Sequence, residues 1–170
     1  MKLLKEYITK LLRESSNEYE EVDKETFEDT LIDLSTLSLE DNQVRYPKIE
    51  NKTESYLFGG NDYDLYVLDR DSLPSSGSFE IIIKDNDDEI IGFIRGNKKD
   101  EIISFKLIHI QENSRGKGIG TDIYEKLLKD NYIIKSDSEI TDDTYNMYSK
   151  LPYYGYQRLK FNDGTVGLKK

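Results

Sequence analysis

The chain contains no cysteine and a single histidine among its 170 residues. Without cysteine, the protein has no disulfide framework, no thiolate metal site and no cysteine nucleophile. One histidine also excludes a zinc site built from several imidazoles, so no metal is expected. No apolar run reaches the roughly 20 residues that a membrane-spanning helix needs, and the N-terminus lacks the apolar stretch of a signal peptide. These absences predict a cytoplasmic protein that does not contact the membrane.

Positive charge is also scarce, with 24 Lys and Arg against 34 Asp and Glu and a formal net charge of -10. Because nucleic-acid binding needs a basic face, this excess of acidic residues argues against nucleic acid as the main partner. An acidic surface suits a cationic amine or a basic protein surface, and it also simply favours solubility. The length predicts one domain, residues 1–170, with a sizeable core.

The first 60 residues are expected to be helical and irregular. Met1–Glu14 has apolar residues at helical spacing, and Asp23 is placed to cap a second helix that ends near Leu34. The first helix is predicted to pack on the domain core, and the alternative is a helix that binds a partner. Its buried residues are predicted to be Leu4, Ile8 and Leu11.

Short apolar runs separated by turn residues predict a sheet in the rest of the chain. Its predicted strands are Leu65–Leu68, Phe79–Lys84, Glu89–Ile94, Ile102–Ile110, Tyr132–Lys135, Tyr156–Phe161 and Thr165–Leu168. Two helices, Gly118–Lys129 and Thr141–Lys150, interrupt this series. A buried strand that follows a helix is typical of a parallel strand reached by a right-handed crossover.

A glycine-rich turn, Arg115–Thr121, lies between the longest predicted strand and a helix. Glycine lets the backbone approach a ligand closely, and the free amides and positive dipole of a helix N-terminus favour a phosphate. Arg115 and Lys117 add positive charge. The turn lacks the Gly-x-x-x-x-Gly-Lys-Ser/Thr spacing of a P-loop and the Gly-x-Gly-x-x-Gly spacing of a dinucleotide fold. The alternative is that this turn binds no ligand and contains glycine only because the chain turns sharply there.

The sequence Arg115-Gly-Lys-Gly-Ile-Gly-Thr121 resembles the acetyl-CoA diphosphate loop of the GNAT superfamily of N-acetyltransferases. A second resemblance covers the last helix, where Tyr148, Lys150 and Gly155-Tyr156 match a family motif and Thr141 replaces its asparagine. Residues 136–138, Ser-Asp-Ser, resemble a branch often encoded by bacteriophages. The likeness is clearest over residues 79–168. It implies an α/β (α+β) fold with a mixed, mostly antiparallel sheet whose central parallel strand pair is flanked by helices.

The resemblance also implies roles for individual residues. The backbone at Ile108 and Ile110 would pair with the pantetheine arm, and the loop amides would hold the diphosphate. Tyr148 would be the general acid near the sulfur, and its alternative role is core packing. The implied acetyl-CoA-binding residues are Ile108, Ile110, Arg115, Gly116, Lys117, Gly118, Ile119, Gly120, Thr121 and Thr141.

The general base has several candidates. His109 has a suitable intrinsic pKa, but it alternates with Ile108 and Ile110 and therefore lies on the other face of the sheet. A structural or solvent-facing histidine is the alternative. Glu101 or a chain of water molecules could also accept the proton.

Two functions follow from the resemblance. The first is an N-acetyltransferase that moves the acetyl group of acetyl-CoA to an amine of a small molecule or protein. The second is a GNAT-fold protein that binds CoA or a partner with little or no turnover. In one version of this hypothesis a phage encodes it. Either would be a monomer or a homodimer.

Overall fold

A computed structural model of the protein describes residues 1–8, 18–37 and 44–170. Residues 2–8 form helix α1. The other helices are α2 (Lys24–Leu34), α3 (Ile119–Lys129) and α4 (Asp142–Lys150), with 3-10 turns at Glu112–Ser114 and Leu151–Tyr154. The strands are β1 (Tyr19–Glu21), β2 (Glu54–Gly59), β3 (Asp64–Leu68), β4 (Ser76–Lys84), β5 (Ile90–Lys99), β6 (Ile102–Ile110), β7 (Ile133–Lys135), β8 (Gln157–Phe161) and β9 (Val166–Lys169).

The strands form one sheet in the order β1-β8-β9-β7-β6-β5-β4-β3-β2. Neighbours in the sheet are antiparallel except for the central pair β6 and β7, which are parallel. The parallel pair is joined through α3, as expected for a crossover that must pass over one face of a sheet. The predicted fold class, a mixed and mostly antiparallel GNAT-like sheet with a central parallel pair, is confirmed.

The main core joins α2, α3 and α4 to the sheet. Phe27 and Leu31 of α2, Tyr124 of α3 and Tyr148 of α4 are all fully buried in it. Their rings and branched chains meet strand residues such as Phe105, whose ring centroid lies 5.0 Å from that of Tyr124. This cluster fixes the two helices, α3 and α4, that border the cavity described below.

The opposite sheet face has a smaller cluster of Ile133, Leu159 and Phe161. One basic side chain lies over it, with Lys135 Nζ 4.7 Å from the centroid of the Phe161 ring. The same ammonium group forms an ion pair with Asp163 at 2.6 Å. Basic side chains can thus shield apolar sheet surface while their charges stay in water.

A β-bulge in β6 changes which face of the sheet its successive side chains occupy. Arg95 of β5 pairs with Leu107, whereas the next residue, Gly96, pairs with Phe105, so Lys106 is the extra residue. A bulge of this kind moves the following side chains to the other face of the sheet. It therefore places Ile108, which pairs with Ile94, on the same face as the core residue Phe105.

The sequence predicted most elements from residue 64 onwards to within a few residues. It also predicted α2, whose N-cap Asp23 accepts a hydrogen bond from the Thr26 amide at 2.8 Å. Two strands were missed. β1 falls in the first 60 residues, which were expected to be helical and irregular, and its three residues pair with β8, which is distant in sequence. β2 falls in a stretch for which no element was predicted.

The predicted burial of the N-terminal helix is wrong where the structure describes it. Leu4 is 58% exposed and Ile8 is 46% exposed, and both belong to α1. Leu11 lies outside the described residues. Helical spacing shows which side chains share a face but not whether a surface exists to cover them. In this protein, α2, α3 and α4 already cover the main core.

Candidate functional site

The two parallel strands at the centre of the sheet separate along their length. β6 has nine residues, but its pairing with β7 involves Ile102–Ser104. From Phe105 to Ile110, the described strands offer β6 no partner on that edge. The backbone groups on this edge can therefore bind an extended ligand by the hydrogen-bonding pattern of an added strand.

A cavity of about 600 Å³ opens where the strands separate, within the range of roughly 300–1,000 Å³ that is usual for ligand pockets. Its wall comes from the end of β6, the glycine turn, the start of α3, one face of α4 and the segment after α2. The lining residues are Leu37, Val44, Leu107, Ile108, His109, Ile110, Ser114, Arg115, Gly116, Gly118, Ile119, Gly120, Thr121, Thr141, Asp142, Asp143, Thr144, Asn146, Met147 and Lys150.

Nine of the ten residues expected to bind acetyl-CoA line this cavity. The exception is Lys117, which lies outside the described wall. Sequence reasoning did not assign the face of α4 that contributes Asn146, Met147 and Lys150. Their spacing within a predicted helix was a usable signal for that face. Leu37 and Val44, by contrast, come from a stretch without periodicity.

The glycine turn presents its backbone to the cavity. Gly116 and Gly118 have φ angles of 77° and 76°, which L-residues with a side chain rarely adopt. A Cβ atom at Gly118 would have no described atom within 4 Å, and Gly118 lies on the cavity wall. A side chain at this position would therefore occupy ligand space rather than clash with protein.

Gly118 is also the N-cap of α3, and the first intrahelical bond runs from the Asp122 amide to the Gly118 carbonyl at 2.9 Å. The preceding amides, those of Ile119, Gly120 and Thr121, lack intrahelical acceptors because of their position in the first turn. Within the described chain, no side chain caps them. Three amides at the positive end of a helix dipole form a site for an anionic group.

Arg115 connects the turn to the end of β6. Its Nε donates a hydrogen bond to the Ile110 carbonyl at 2.7 Å. Arg115 lines the same cavity as the first residues of α3. Arg115 brings a formal positive charge to the end of the cavity near the glycine turn, although the chain as a whole is acidic. This charge favours an anion at that end.

The N-terminus of α4 forms the facing wall. Thr141 is its N-cap, and the hydroxyl oxygen accepts a hydrogen bond from the Thr144 amide at 3.3 Å. Asp142 accepts a hydrogen bond from the Ser35 hydroxyl at 3.2 Å, which connects this wall to the segment after α2. The predicted residue Thr141 is therefore on the cavity wall, and its hydroxyl has a structural role as a cap.

Tyr148 lies beside the cavity rather than on its described wall. The side chain is fully buried, and its ring meets that of Tyr124 edge-on at 5.7 Å between centroids. Burial, together with the neighbouring Tyr124, raises the pKa of Tyr148 well above its usual range. Among the described residues, no partner is placed to form a well-aligned hydrogen bond with its hydroxyl. Met147, the preceding residue, does line the cavity.

His109 occupies the opposite sheet face from Ile108, as the alternation along the strand predicts. It pairs with Phe93 across β5 and β6. Its ring packs edge-on against Tyr46 at 5.5 Å and tilted against Phe93 at 5.7 Å. The residue is 8% exposed and touches the cavity at its edge. Glu101, the other candidate base, precedes β6 at the far end from the cavity.

Within residues 1–8, 18–37 and 44–170, no helix has the length and apolar character needed to cross a membrane. The same residues contain no group of three or more His, Asp or Glu side chains placed to hold a metal ion.

Comparison with known sequences agrees with the geometry. A sequence model of the acetyltransferase (GNAT) family matches residues 47–130. The matched range contains β2 to β6, the glycine turn and α3, so it includes the free strand edge and the helix N-terminus that line the cavity. A search of curated protein sequences finds no match to the chain.

Several solved structures are similar to the chain at low identity. A GNAT-family acetyltransferase from Staphylococcus aureus is 12% identical over 89% of this chain and 96% of its own, with a TM-score of 0.41. A candidate acetyltransferase from Deinococcus radiodurans is 22% identical over 45% of this chain and 55% of its own, with a TM-score of 0.35. A GNAT-family N-acetyltransferase from Escherichia coli, solved in complex with CoA, is 14% identical over 48% of this chain and 47% of its own, with a TM-score of 0.31. The chain thus spans about half the length of the last two, and at these identities the similarity concerns the fold alone.

Proposed function

We propose that this protein, which has a GNAT-like fold, is an acyltransferase that moves the acetyl group of acetyl-CoA to an amine of a small molecule or protein. The observation that carries the proposal is the cavity of about 600 Å³ that joins the separated end of β6 to the free amides of α3. An extended arm ending in a diphosphate needs both features, and the match to the acetyltransferase (GNAT) family covers both.

The diphosphate end of acetyl-CoA would lie at the glycine turn. The amides of Ile119, Gly120 and Thr121 would donate to its oxygens, and Arg115 would add a formal positive charge. Charge-assisted hydrogen bonds of this kind contribute more than neutral ones, typically about 1.5–3 kcal/mol each. The bare backbone at Gly116 and Gly118 would allow the phosphate oxygens to come within bonding distance.

The pantetheine arm would then run along the free edge of β6. Ile108 and Ile110 present backbone groups there, in the pattern of strand addition. The Ile110 carbonyl already accepts a hydrogen bond from Arg115. A contact with the arm at Ile110 would therefore use its N–H group or displace the guanidinium. This arrangement would aim the thioester at the point where β6 and β7 separate.

Amide formation needs three events at that point. A neutral amine attacks the thioester carbonyl, a tetrahedral oxyanion forms, and a proton reaches the departing thiolate. We assign the proton that reaches the thiolate to the Tyr148 hydroxyl, on the ground of its position in the motif of the last helix. The attacking nitrogen must also lose a proton, and His109, which touches the edge of the cavity, is the candidate base. A water chain is the alternative.

A second function, CoA binding with little turnover, is favoured by one observation. Tyr148 is fully buried and lies outside the described cavity wall, so the group assigned as the acid does not face the cavity. The oligomeric state, the cytoplasmic location and a phage origin stay predictions from the sequence.

Release of free CoA thiol from acetyl-CoA, measured with a panel of amines, separates the two functions. Amine-dependent release at a rate above that of protein-free controls supports the acetyltransferase. Tight CoA binding without release for any amine would favour the binding protein. A lack of both would reject the two proposals together.

A further inference from the structure

The tip of the β2–β3 hairpin packs on the first turn of α3, although the two are distant in sequence. Gly60 lies at this contact, and a Cβ atom at that position would fall 2.8 Å from Asp122 Oδ2 and would overlap the Tyr63 ring. The Gly60 amide donates to the Tyr63 carbonyl at 2.8 Å, which closes the hairpin. The absence of a side chain at Gly60 therefore lets the hairpin reach the turn that carries the free amides.

Tyr63 makes the central bond of this contact. It is 3% exposed, and its hydroxyl donates to Asp122 Oδ2 at 2.7 Å. Lys126 Nζ donates to the same oxygen at 2.8 Å. Burial, followed by the bond to Asp122, raises the pKa of Tyr63, so the hydroxyl remains a donor throughout the neutral range.

The Asp122 carboxylate that accepts this bond lies near the free amides of α3. Asp122 follows Thr121 directly and is the acidic residue of the first turn of α3. At a rise of about 1.5 Å per residue, its carboxylate lies within roughly one helical turn of the amides that bind the anion. A diphosphate at those amides would be repelled by a carboxylate turned towards it. Thr121 and Gly120 line the cavity, whereas Asp122 lies outside its described wall.

We propose that Tyr63 is a positioning residue for the diphosphate end of the cavity, because it holds the Asp122 carboxylate on the hairpin side of α3 and away from the bound anion. The inference rests on the proposed function, since it requires CoA to bind at the glycine turn. Lys126 offsets part of the same negative charge from the next turn of the helix.

The test is CoA affinity, measured by titration calorimetry in low salt and in about 1 M salt, for four proteins and one control variant. These are the wild type, Tyr63→Phe, Asp122→Asn and the double variant. Tyr63→Phe keeps the buried ring and removes the hydroxyl alone. Tyr56→Phe, on the neighbouring strand of the same hairpin and 58% exposed, is the matched control. Melting curves confirm that each variant folds.

We expect Tyr63→Phe to weaken CoA binding about fivefold or more in low salt, and Tyr56→Phe to leave it unchanged. The loss should shrink in high salt, because the Debye length falls from about 10 Å at 0.1 M to about 3 Å at 1 M. Removing the charge in Tyr63→Phe/Asp122→Asn should restore binding to within about twofold of the wild type. A residue that only supported the fold would show neither the salt dependence nor the rescue.

Two results would overturn the inference while leaving the proposed function intact. One is tight CoA binding by Tyr63→Phe, equal to that of the wild type in low salt. The other is a double variant that binds as weakly as Tyr63→Phe at both salt concentrations. A wild-type protein that binds no CoA would instead overturn the proposed function, and the inference with it.

Discussion

Replacement of Gly118 by leucine should weaken CoA binding roughly a hundredfold and leave the fold intact. The φ angle of 76° at Gly118 makes any L-side chain strained, at a cost of about 1–2 kcal/mol. The added side chain meets no described atom within 4 Å, so it should project into the cavity and keep phosphate oxygens from the amides of α3. Gly118→Leu should therefore be less stable than the wild type by the strain alone.

The expected loss of affinity can be estimated from the hydrogen bonds. Each charge-assisted bond to a phosphate oxygen contributes about 1.5–3 kcal/mol, so losing even one weakens binding by roughly tenfold to more than a hundredfold. At a CoA concentration of 100 times the wild-type Kd, ligand stabilises the native protein by about 2.7 kcal/mol. A hundredfold weaker variant would gain about 0.4 kcal/mol at the same concentration.

These free energies correspond to a readily measured difference in melting temperature. For a protein of this size, 1 kcal/mol moves Tm by roughly 2–4 °C. The wild type should therefore shift by about 5–11 °C with CoA, and Gly118→Leu by about 1 °C. Gly164→Leu is the matched control, because Gly164 has a φ angle of 86° and equally open space but lies in the β8–β9 turn, far from the cavity wall.

Gly164→Leu should lose similar stability without CoA and keep the full shift with it. If Gly118→Leu also kept the full shift, the glycine turn would not be the phosphate site. If Gly164→Leu lost the shift as well, backbone strain rather than the filled cavity would explain the loss.

Three other changes probe different parts of the molecule. Tyr148→Phe keeps the buried ring, so turnover should fall about a hundredfold or more in kcat with little change in KM; unchanged turnover would make Tyr148 a packing residue. Hydrogen bonds from Lys135 and Thr165 outweigh the opposing effect of partial burial and lower the pKa of Asp163 to about 2. Asp163→Asn should therefore lower the free energy of unfolding at pH 7, by no more than about 1 kcal/mol for this half-exposed group, and most of this difference should be lost as pH falls from about 4 to 2; a difference at pH 2 as large as at pH 7 would contradict this. Leu4→Ser should change the free energy of unfolding by less than about 0.5 kcal/mol because Leu4 is exposed, and a loss of 2 kcal/mol or more in denaturant unfolding would show that α1 is packed after all.

The sequence was most informative where short-range patterns decide the structure. The apolar run of β6, the glycines of the turn and the helical spacing of Ile119, Ile123 and Leu127 each act over a few residues. They predicted the strand, the turn and α3, and they placed Gly118 at the start of the helix, where it is the N-cap. Alternation also predicted that His109 and Ile108 lie on opposite faces of the sheet.

Long-range contacts could not be obtained in this way. Nothing in the local sequence marks Lys106 as a bulge, because its extra position is defined by pairing with β5. Tyr63 and Asp122 are 59 residues apart, and their hydrogen bond depends on the approach of the hairpin to α3. The exposure of Leu4 likewise depends on which elements already cover the core.

The most direct test of the central claim is to follow backbone amide NMR signals of ¹⁵N-labelled protein during titration with acetyl-CoA. The claim is that the amides at the start of α3 hold the diphosphate while the free edge of β6 binds the pantetheine arm. Saturable shifts should appear for Ile119–Thr121 and for Ile108–Ile110, at one common Kd, while Gly164 stays unchanged. Saturable binding that leaves Ile119–Thr121 unshifted, or an absence of binding at millimolar acetyl-CoA, would contradict the account.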